Sequence, residues 1–533
     1  MTLLAQKNYV DDASNDPMNV PPDISREEML GAELFHIHRE NKLARAKGIA
    51  EPFAKATITK LKKEVAVVTG KATQTTGNNT KAENAAAEEE ETPEIAFARL
   101  ASEWNLKQFS ADEAATWTGS HWKTIEPAIL KQQIIQWLTT NYPHKSKSPQ
   151  MESCYKWAVL SVPPLLEQDK HILPFANAYL RIPTKEQAAN GFACQAPDPS
   201  HHMRFTVAAT LNLDNAANGL YQPKIVPSDS EFWKFLTQTL PDADTRDLLQ
   251  EYVGSTLLPD TRFQKACFFI GDGHNGKGVL MRIVKALHQK TAAMLLDRLE
   301  NFNLQGLVGA TLALVDEAPK AGIDEQVLKS LIAGETVQID RKHRDILSYQ
   351  PIAKWIVSAN HTPKFTDHSD GFWRRWIVVP FDVQIDYKQA RLDLAEHIVD
   401  NELHHVANWA LAGLQRLLMR GRFPVADEMP NKVAAAIGRS KSESDAVRGW
   451  VDDQAVALVA DTKHWTPKNE LYRQFVQWCE GQGRGAVAQA EFYKRLDRYF
   501  QKQVQEDRPR IKGQRIYRVN VAVDPQPIPD VAF

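Results

Sequence analysis

The chain has 533 residues, 43% hydrophobic and 24% charged, enough at roughly 100–200 residues per domain for about three domains with apolar cores. Its 64 Lys and Arg against 66 Asp and Glu leave a net charge of −2, so no global basic field exists and any contact with nucleic acid must come from local patches. Mean hydropathy is −0.41, no apolar run approaches the ~20 residues of a membrane helix, and four scattered cysteines (Cys154, Cys194, Cys267, Cys479) form no Cys-x-x-Cys; these exclude a membrane span and a disulfide scaffold and argue against a structural zinc site.

The first residues, MTLLAQKNYVDDASND, lack the basic start and apolar stretch of a signal peptide, which predicts a soluble cytoplasmic protein with no membrane partner. Ser25 to about Lys47 reads as a helix opened by the capping-box pair Ser25 and Glu28. Lys55, Lys60, Lys62 and Lys63 follow, and the plain reading of that cluster is a solvated helical face. Residues 1–70 are thus a helical, basic segment. Lys71–Glu94 is polar, low in complexity and ends in an acidic run; it has too little to bury and reads as a disordered linker.

Residues 95–225 read as a mixed α+β domain, with a helix over Glu126–Thr139 and strand-like runs at Phe175–Ile182 and Arg204–Leu211. Ser228–Leu258 gives two helices, with Ser228 (three residues before Glu231) and Asp242 as their caps. Between Cys267 and Phe381 the runs ACFFIG, TLALVD, AKWIVSAN and WIVVPF alternate with helices and Gly-rich turns. Continuous apolar strands of this kind predict a buried, mostly parallel sheet, and hence an α/β fold class. A long helix over Leu392–Leu418, a polar stretch near Met429–Ser444, further helices and a basic strand, RIKGQRIYRVNV, complete the chain. There is no internal repeat.

The strongest chemical signal is strand, loop, helix: CFFI, then Gly271, Asp272, Gly273, His274, Asn275, Gly276, Lys277 and Gly278, then a helix opening at Val279. It fits the phosphate-loop pattern G-x-x-x-x-G-K, in which glycines let backbone N–H groups curl round phosphates and the helix N-terminus favours negative charge. Lys277 would reach the β- and γ-phosphates. Gly278 stands where Ser or Thr ordinarily supplies a hydroxyl to Mg²⁺, so water would take that place. Roughly forty residues on, an apolar strand ends in Asp316 and Glu317. Phosphoryl transfer to water needs a group that holds Mg²⁺ and one that polarises the attacking water, and the two carboxylates suit those roles in that order.

The strand Lys354–Asn360 ends in an amide that can orient water or the γ-phosphate; taken alone, Asn360 is a turn former. Arg374 and Arg375 precede the strand WIVVPF, where an arginine can act as a finger on a neighbouring subunit's nucleotide. Between these, Gly334–Tyr349 reads as a β-hairpin tipped by Arg341, Lys342, His343 and Arg344, which suits phosphate contacts on a single strand. A charged tip by itself is more often a solvated turn.

Order, spacing and content together resemble the superfamily 3 DNA helicases, in particular the helicase half of phage, plasmid and poxvirus primase-helicases. The matching pieces are GDGHNGKG, LALVDEAPK, LKSLIAGETVQIDRKHRD, KWIVSAN and DGFWRRWIVVPF, five ordered motifs over about residues 230–385. In that family Gly often follows the loop lysine. The resemblance implies an AAA+-type P-loop ATPase core over 226–425, preceded by an accessory domain over 95–225. It further implies a homo-hexameric ring with ATP between subunits, Lys342 and His343 in the central channel, and Arg375, with Arg374 beside it, as the finger. Residues 445–524, and Pro467–Asn520 most clearly, resemble a winged-helix DNA-binding domain; Lys494–Arg518 holds nine Lys and Arg against three Asp and Glu. The polymerase-type domain of primase-helicases has no counterpart in the first 95 residues, which leaves room for a separate primase or polymerase as partner.

The expectation is a replicative helicase of a phage, prophage or plasmid, acting in a bacterial host's cytoplasm. It would use ATP and Mg²⁺ and move 3′–5′ on single-stranded and forked DNA, a direction implied by the resemblance alone. The alternatives are another NTP-driven DNA motor, for packaging or defence, and an ATP-regulated origin-binding initiator that does not unwind.

Overall fold

The computed structural model describes residues 91–319, 322–341, 344–363, 365–386, 391–511 and 514–524. The helix read over Ser25–Lys47, the lysine cluster and most of the linker lie outside these residues. The first described helix, α1 (Pro93–Glu103), starts two residues inside the stretch read as linker, because Pro93 brings a φ already suited to the first helical position.

A three-stranded antiparallel sheet follows, β1 (Leu106–Ser110), β2 (Glu113–Trp117) and β3 (Trp122–Thr124), then α2 (Pro127–Asn141) and α3 (Ser148–Ser161). Their core is separate from the rest, built on Phe97, Leu130, Ile134, Leu138, Cys154 and Val159. A five-stranded antiparallel sheet comes next, in the order β4-β5-β6-β8-β7, from β4 (Ile172–Pro174), β5 (Tyr179–Arg181), β6 (Phe192–Gln195), β7 (Ala216–Ala217) and β8 (Leu220–Tyr221). The expected strand at Phe175–Ile182 is thus reduced to three residues. Arg204–Leu211 is not a strand: Val207 makes single bridges to Phe175 and His288. The side chain of Asn177 takes both backbone groups of Leu211, at 2.8 and 3.0 Å, in place of a ladder partner.

Helices α4 (Glu231–Thr239) and α5 (Ala243–Thr256) form as expected, with Asp242 capping the second. The cap of α4 is Ser230, not Ser228: its hydroxyl accepts from the Trp233 N–H at 3.1 Å. The N–H groups of Glu231 and Phe232 donate to the Glu402 carboxylate, 3.0 and 2.8 Å away on the long helix, so a tertiary contact replaces the local box.

The centre is a parallel sheet of β9 (Ala266–Ile270), β10 (Thr291–Ala293), β11 (Leu312–Val315), β14 (Lys354–Ala359) and β15 (Trp376–Pro380), in the order β10-β11-β14-β9-β15. Between β9 and β10 runs α6 (Lys277–Ala286). Between β11 and β14 lie α7 (Glu325–Ala333) and the antiparallel hairpin β12 (Val337–Arg341) and β13 (Arg344–Tyr349). The short α8 (Asp370–Trp373) precedes β15.

Strand alternation divides the apolar residues between two layers. Cys267, Phe269, Leu314, Ile356, Ile377 and Val379 face one core, shared with α4 to α6. Phe268, Val315, Trp355, Val357, Trp376 and Val378 face the other. With both faces covered, these strands have to be apolar throughout, as the sequence reads. At roughly 1.5–3 kcal/mol for each fully buried large side chain, the sheet is the rigid frame on which everything else hangs.

The long helix is α9 (Leu394–Arg420). It packs on α5, where Arg416 and Arg420 pair with the buried carboxylate of Glu251. The polar stretch after it is a helix, α10 (Asn431–Ser444). The remaining segment has its own core of Trp450, Leu471, Phe475, Phe492, Leu496, Val519 and Val521. It comprises α11 (Ala446–Asp453), α12 (Lys468–Gly481), α13 (Gln489–Tyr499) and short strands that include a hairpin of Arg510–Ile511 with Gln514–Arg515. Among the described residues no helix is long and apolar enough to cross a membrane.

Candidate functional site

Parallel strands expose their carboxyl ends together, and the crevice beyond them is where such sheets bind ligands. In this chain the register aligns Ile270 of β9 with Ala359 of β14 and Pro380 of β15. The next residue of each strand, Gly271, Asn360 and Phe381, therefore opens on the same level. On the far side of β14, Val315 pairs with Val357, and the Ala318 N–H donates to the Ser358 carbonyl at 2.9 Å. Asp316 and Glu317 follow Val315 directly and are exposed at the same end. Two strand spacings, roughly 10 Å, separate the strand carrying the acids from the strand carrying the loop, with the Asn360 strand between.

The loop is held shut on itself. Gly276 sits at the helix cap with φ +85°, and a Cβ there would fall 2.6 Å from the Thr239 methyl, so only glycine fits. The buried Asn275 amide donates to the Phe381 carbonyl at 3.1 Å, and Ile385 N–H donates to His274 O at 2.8 Å; both tie the loop to the segment leaving β15. Asp272, Gly273 and His274 are exposed along its outer edge. The Lys277 ammonium is buried and donates to the carbonyls of Gly271 and Asp272 (the latter at 3.0 Å) and to Asn275 Oδ1 at 3.2 Å. Burial pushes its pKa below the usual lysine range, so an anion beside it would be stabilising. Gly278 is exposed, and nothing lies within 4 Å of where its Cβ would stand; Val279 leans on the core.

A cavity of about 340 Å³ opens beside the loop, lined by Gly271, Asp272, Asn275, Asn360, His361 and Asp382 together with Arg439, Ser440 and Glu443 of α10. The sequence reading missed His361, Asp382 and the three of α10. The α10 residues carry no motif, and their only signal is the polar helical spacing of a stretch that follows the long helix. Thr362 Oγ1 donates to Ser440 Oγ at 2.9 Å, which fixes α10 as the cavity wall. Among the described residues no group of three or more His, Cys, Asp or Glu gathers to hold a metal ion.

The arginines are elsewhere. Arg374 and Arg375 precede β15, at the amino end of the sheet: the Arg375 carbonyl accepts from Ala266 N–H at 2.8 Å, and the Arg374 carbonyl from Lys265. Six residues of strand, roughly 20 Å, separate that level from Gly271. Arg374 is exposed, whereas Arg375 is half-buried and donates to the Gly371 carbonyl. Burial and the neighbouring Arg374 lower its pKa.

The hairpin also belongs to this end, leaving α7 and returning to the first residues of β14. Arg341 and Arg344 pair across its ladder, while Lys342 and His343 lie outside the described residues. The candidate residues thus fall into two groups: loop, acids and Asn360 at one end, arginines and hairpin at the other.

A model of a family of unknown function (DUF5906) matches residues 269–375, the span from β9 to the arginines. A protein of Invertebrate iridescent virus 3 named "Putative helicase 121R" is 22% identical over 287 residues, 46% of this chain and 30% of that protein. "Putative helicase L207/L206" of Acanthamoeba polyphaga mimivirus is 26% identical over 172 residues, 29% of this chain and 18% of that one. The chain therefore spans less than a third of these relatives. Among solved structures, the NrS-1 C-terminal region (305–718) aligns over 81% of this chain and all of its own length, at 14% identity and a TM-score of 0.47.

Proposed function

We propose that the chain is an ATP-dependent DNA helicase motor of the superfamily 3 type, working as a ring, homo-hexameric by its resemblance to that family, in the replication of a phage, prophage or plasmid. The observation that carries the reading is the separation of the candidate residues into two ends of one rigid sheet. An arginine roughly 20 Å from its own loop has no access to the phosphates that loop holds. It can serve a nucleotide only across a subunit contact.

In this reading the loop amides and Lys277 hold the phosphates of ATP, Lys277 exchanging its carbonyl partners for phosphate oxygens. Asp316 would hold Mg²⁺ through its carboxylate. Mg²⁺ supplies charge neutralisation at the β- and γ-phosphates when bound. Glu317 polarises the attacking water, Asn360 orients it, and Arg374 or Arg375 of the next subunit meets the charge that develops on the transferred group. The hairpin residues Arg341, Lys342, His343 and Arg344 grip phosphates of single-stranded DNA, and the C-terminal segment, read as a winged helix, binds duplex through Arg508, Arg510 and Arg515, all exposed.

The test is strand displacement on forked DNA with and without ATP, run beside a variant with Lys342 and His343 both changed to Ala. Unwinding by the parental protein, with basal ATPase kept and unwinding lost in the variant, supports the motor. DNA binding with ATP turnover but no displacement by the parental chain supports the origin-binding initiator instead.

A further inference from the structure

Helix α7 leads into the hairpin, and the segment Phe365–Trp376 leads through α8 to the arginines. The two are joined by an unusual pair of contacts. Glu325, the first residue of α7, is buried at 7% exposure, and its carboxylate accepts the N–H groups of Thr366 and Asp367 at 2.5 and 2.6 Å and the Thr366 hydroxyl at 3.1 Å. One turn on, Lys329 donates to Asp367 Oδ2 at 2.6 Å. Charge-assisted bonds to a buried carboxylate are the strong ones, and a carboxylate left there without them would be costly.

Beyond the clamp the path to the arginines is stiff. Asp367 accepts from the Ser369 N–H at 2.9 Å, and Ser369 Oγ caps α8 by accepting from Phe372 N–H at 3.3 Å. Phe365 and Phe372 lie 4.7 Å apart between ring centres, and Trp376 packs at a tilt against Phe268 of the sheet, ring centres 4.1 Å apart. Trp373 and Trp376 are buried on either side of the arginine pair. A displacement of α7 therefore reaches Arg374 and Arg375 with little to absorb it.

We infer that Glu325 and Lys329 are positioning residues that make the hairpin and the arginine segment move as one body. DNA held by the hairpin then governs how the arginines meet a neighbouring subunit's nucleotide. The inference rests on the motor reading above and names the regulation of its site: hydrolysis responds to DNA through this clamp.

The experiment uses the full chain and compares steady-state ATPase with and without poly(dT) for Lys329→Met, Glu325→Gln and the conservative Lys329→Arg. Basal kcat and KM should stay near parental values in Lys329→Met, since neither residue approaches the loop. The stimulation by DNA should fall at least about fivefold, the lower end of ordinary coupling between sites, and return in Lys329→Arg. Glu325→Gln should do the same or more, because each carboxylate oxygen accepts one N–H and the amide NH2 would face one of those donors. Parental stimulation in both Lys329→Met and Glu325→Gln overturns the inference, and so does an equal loss of basal and stimulated rates, which marks a purely structural staple. A parental chain that hydrolyses ATP without any response to DNA overturns the clamp but leaves the nucleotide site standing. No hydrolysis at all removes both.

Discussion

The carboxyl and amino ends of the central sheet differ in kind. At the carboxyl end the candidate groups are mostly exposed: Asp316, Glu317, Asn360 and the rim of the loop face solvent, and only Lys277 and Asn275 are buried. At the amino end titratable groups are packed away. Lys354 is buried and its pKa pushed down to about 7, Lys265 is held at about 8 by burial and the nearby Arg374, and buried His288 is depressed to about 3. An open end suits a ligand that comes and goes. A packed end suits a platform that carries arginines rigidly towards another molecule.

If that contrast is right, damage at the two ends should differ in form. The largest effect is expected from Lys277→Ala, which removes the loop's cation and should cost about 10³-fold or more in kcat/KM for ATP. Glu317→Gln should cost about 10²-fold in kcat while nucleotide binding, followed by fluorescence of a labelled analogue, stays near parental. Loss of binding in Glu317→Gln would move that residue from chemistry to holding the metal.

The amino end should reveal itself in stability against pH. His288 lies between Thr256 and Thr311 hydroxyls at 3.1 and 2.8 Å and stays neutral when folded. Its folded pKa is depressed, so between about 3 and 6.5 the unfolded chain binds more protons, and stability should fall as pH drops through that window. The size between pH 7 and 5 is about 2 kcal/mol, read from urea melts, and His288→Gln should reduce the difference while leaving the share of His121, which burial lowers to about 4. The smallest effect belongs to Gly278→Ser. A side chain has open space there, so the protein should fold with helix propensity improved by about 0.5 kcal/mol, and a hydroxyl beside the cation should lower the Mg²⁺ needed for half-maximal turnover.

Much of the sheet was legible because physics leaves little freedom there. TLALV and KWIVSA read as strands buried on both faces and are so, and the phosphate-loop spacing placed the glycine at 276 where the helix opens. What could not be read is whatever depends on contacts between distant segments. Glu402 replaced a local capping box, Asn177 dissolved an expected strand, and Arg439 and Glu443 reached the cavity from a helix with no motif. The loop, the acids and Asn360 follow their strands whereas the arginines precede theirs, so their opposite placement could be read only as far as the strands could be taken to run parallel in one sheet. Strand order and direction decide that, and they are tertiary facts.

The claim that the two ends meet only between subunits has one direct test. Protein carrying Lys277→Ala is mixed with protein carrying Arg374→Ala and Arg375→Ala, each inactive alone by about 10³-fold or more, and ATPase is followed across mixing ratios. The account predicts that the mixture regains activity, greatest near equal amounts, because some contacts then join an intact loop to intact arginines. A mixture as inactive as either parent at every ratio would contradict it and return the arginines to a role within their own chain.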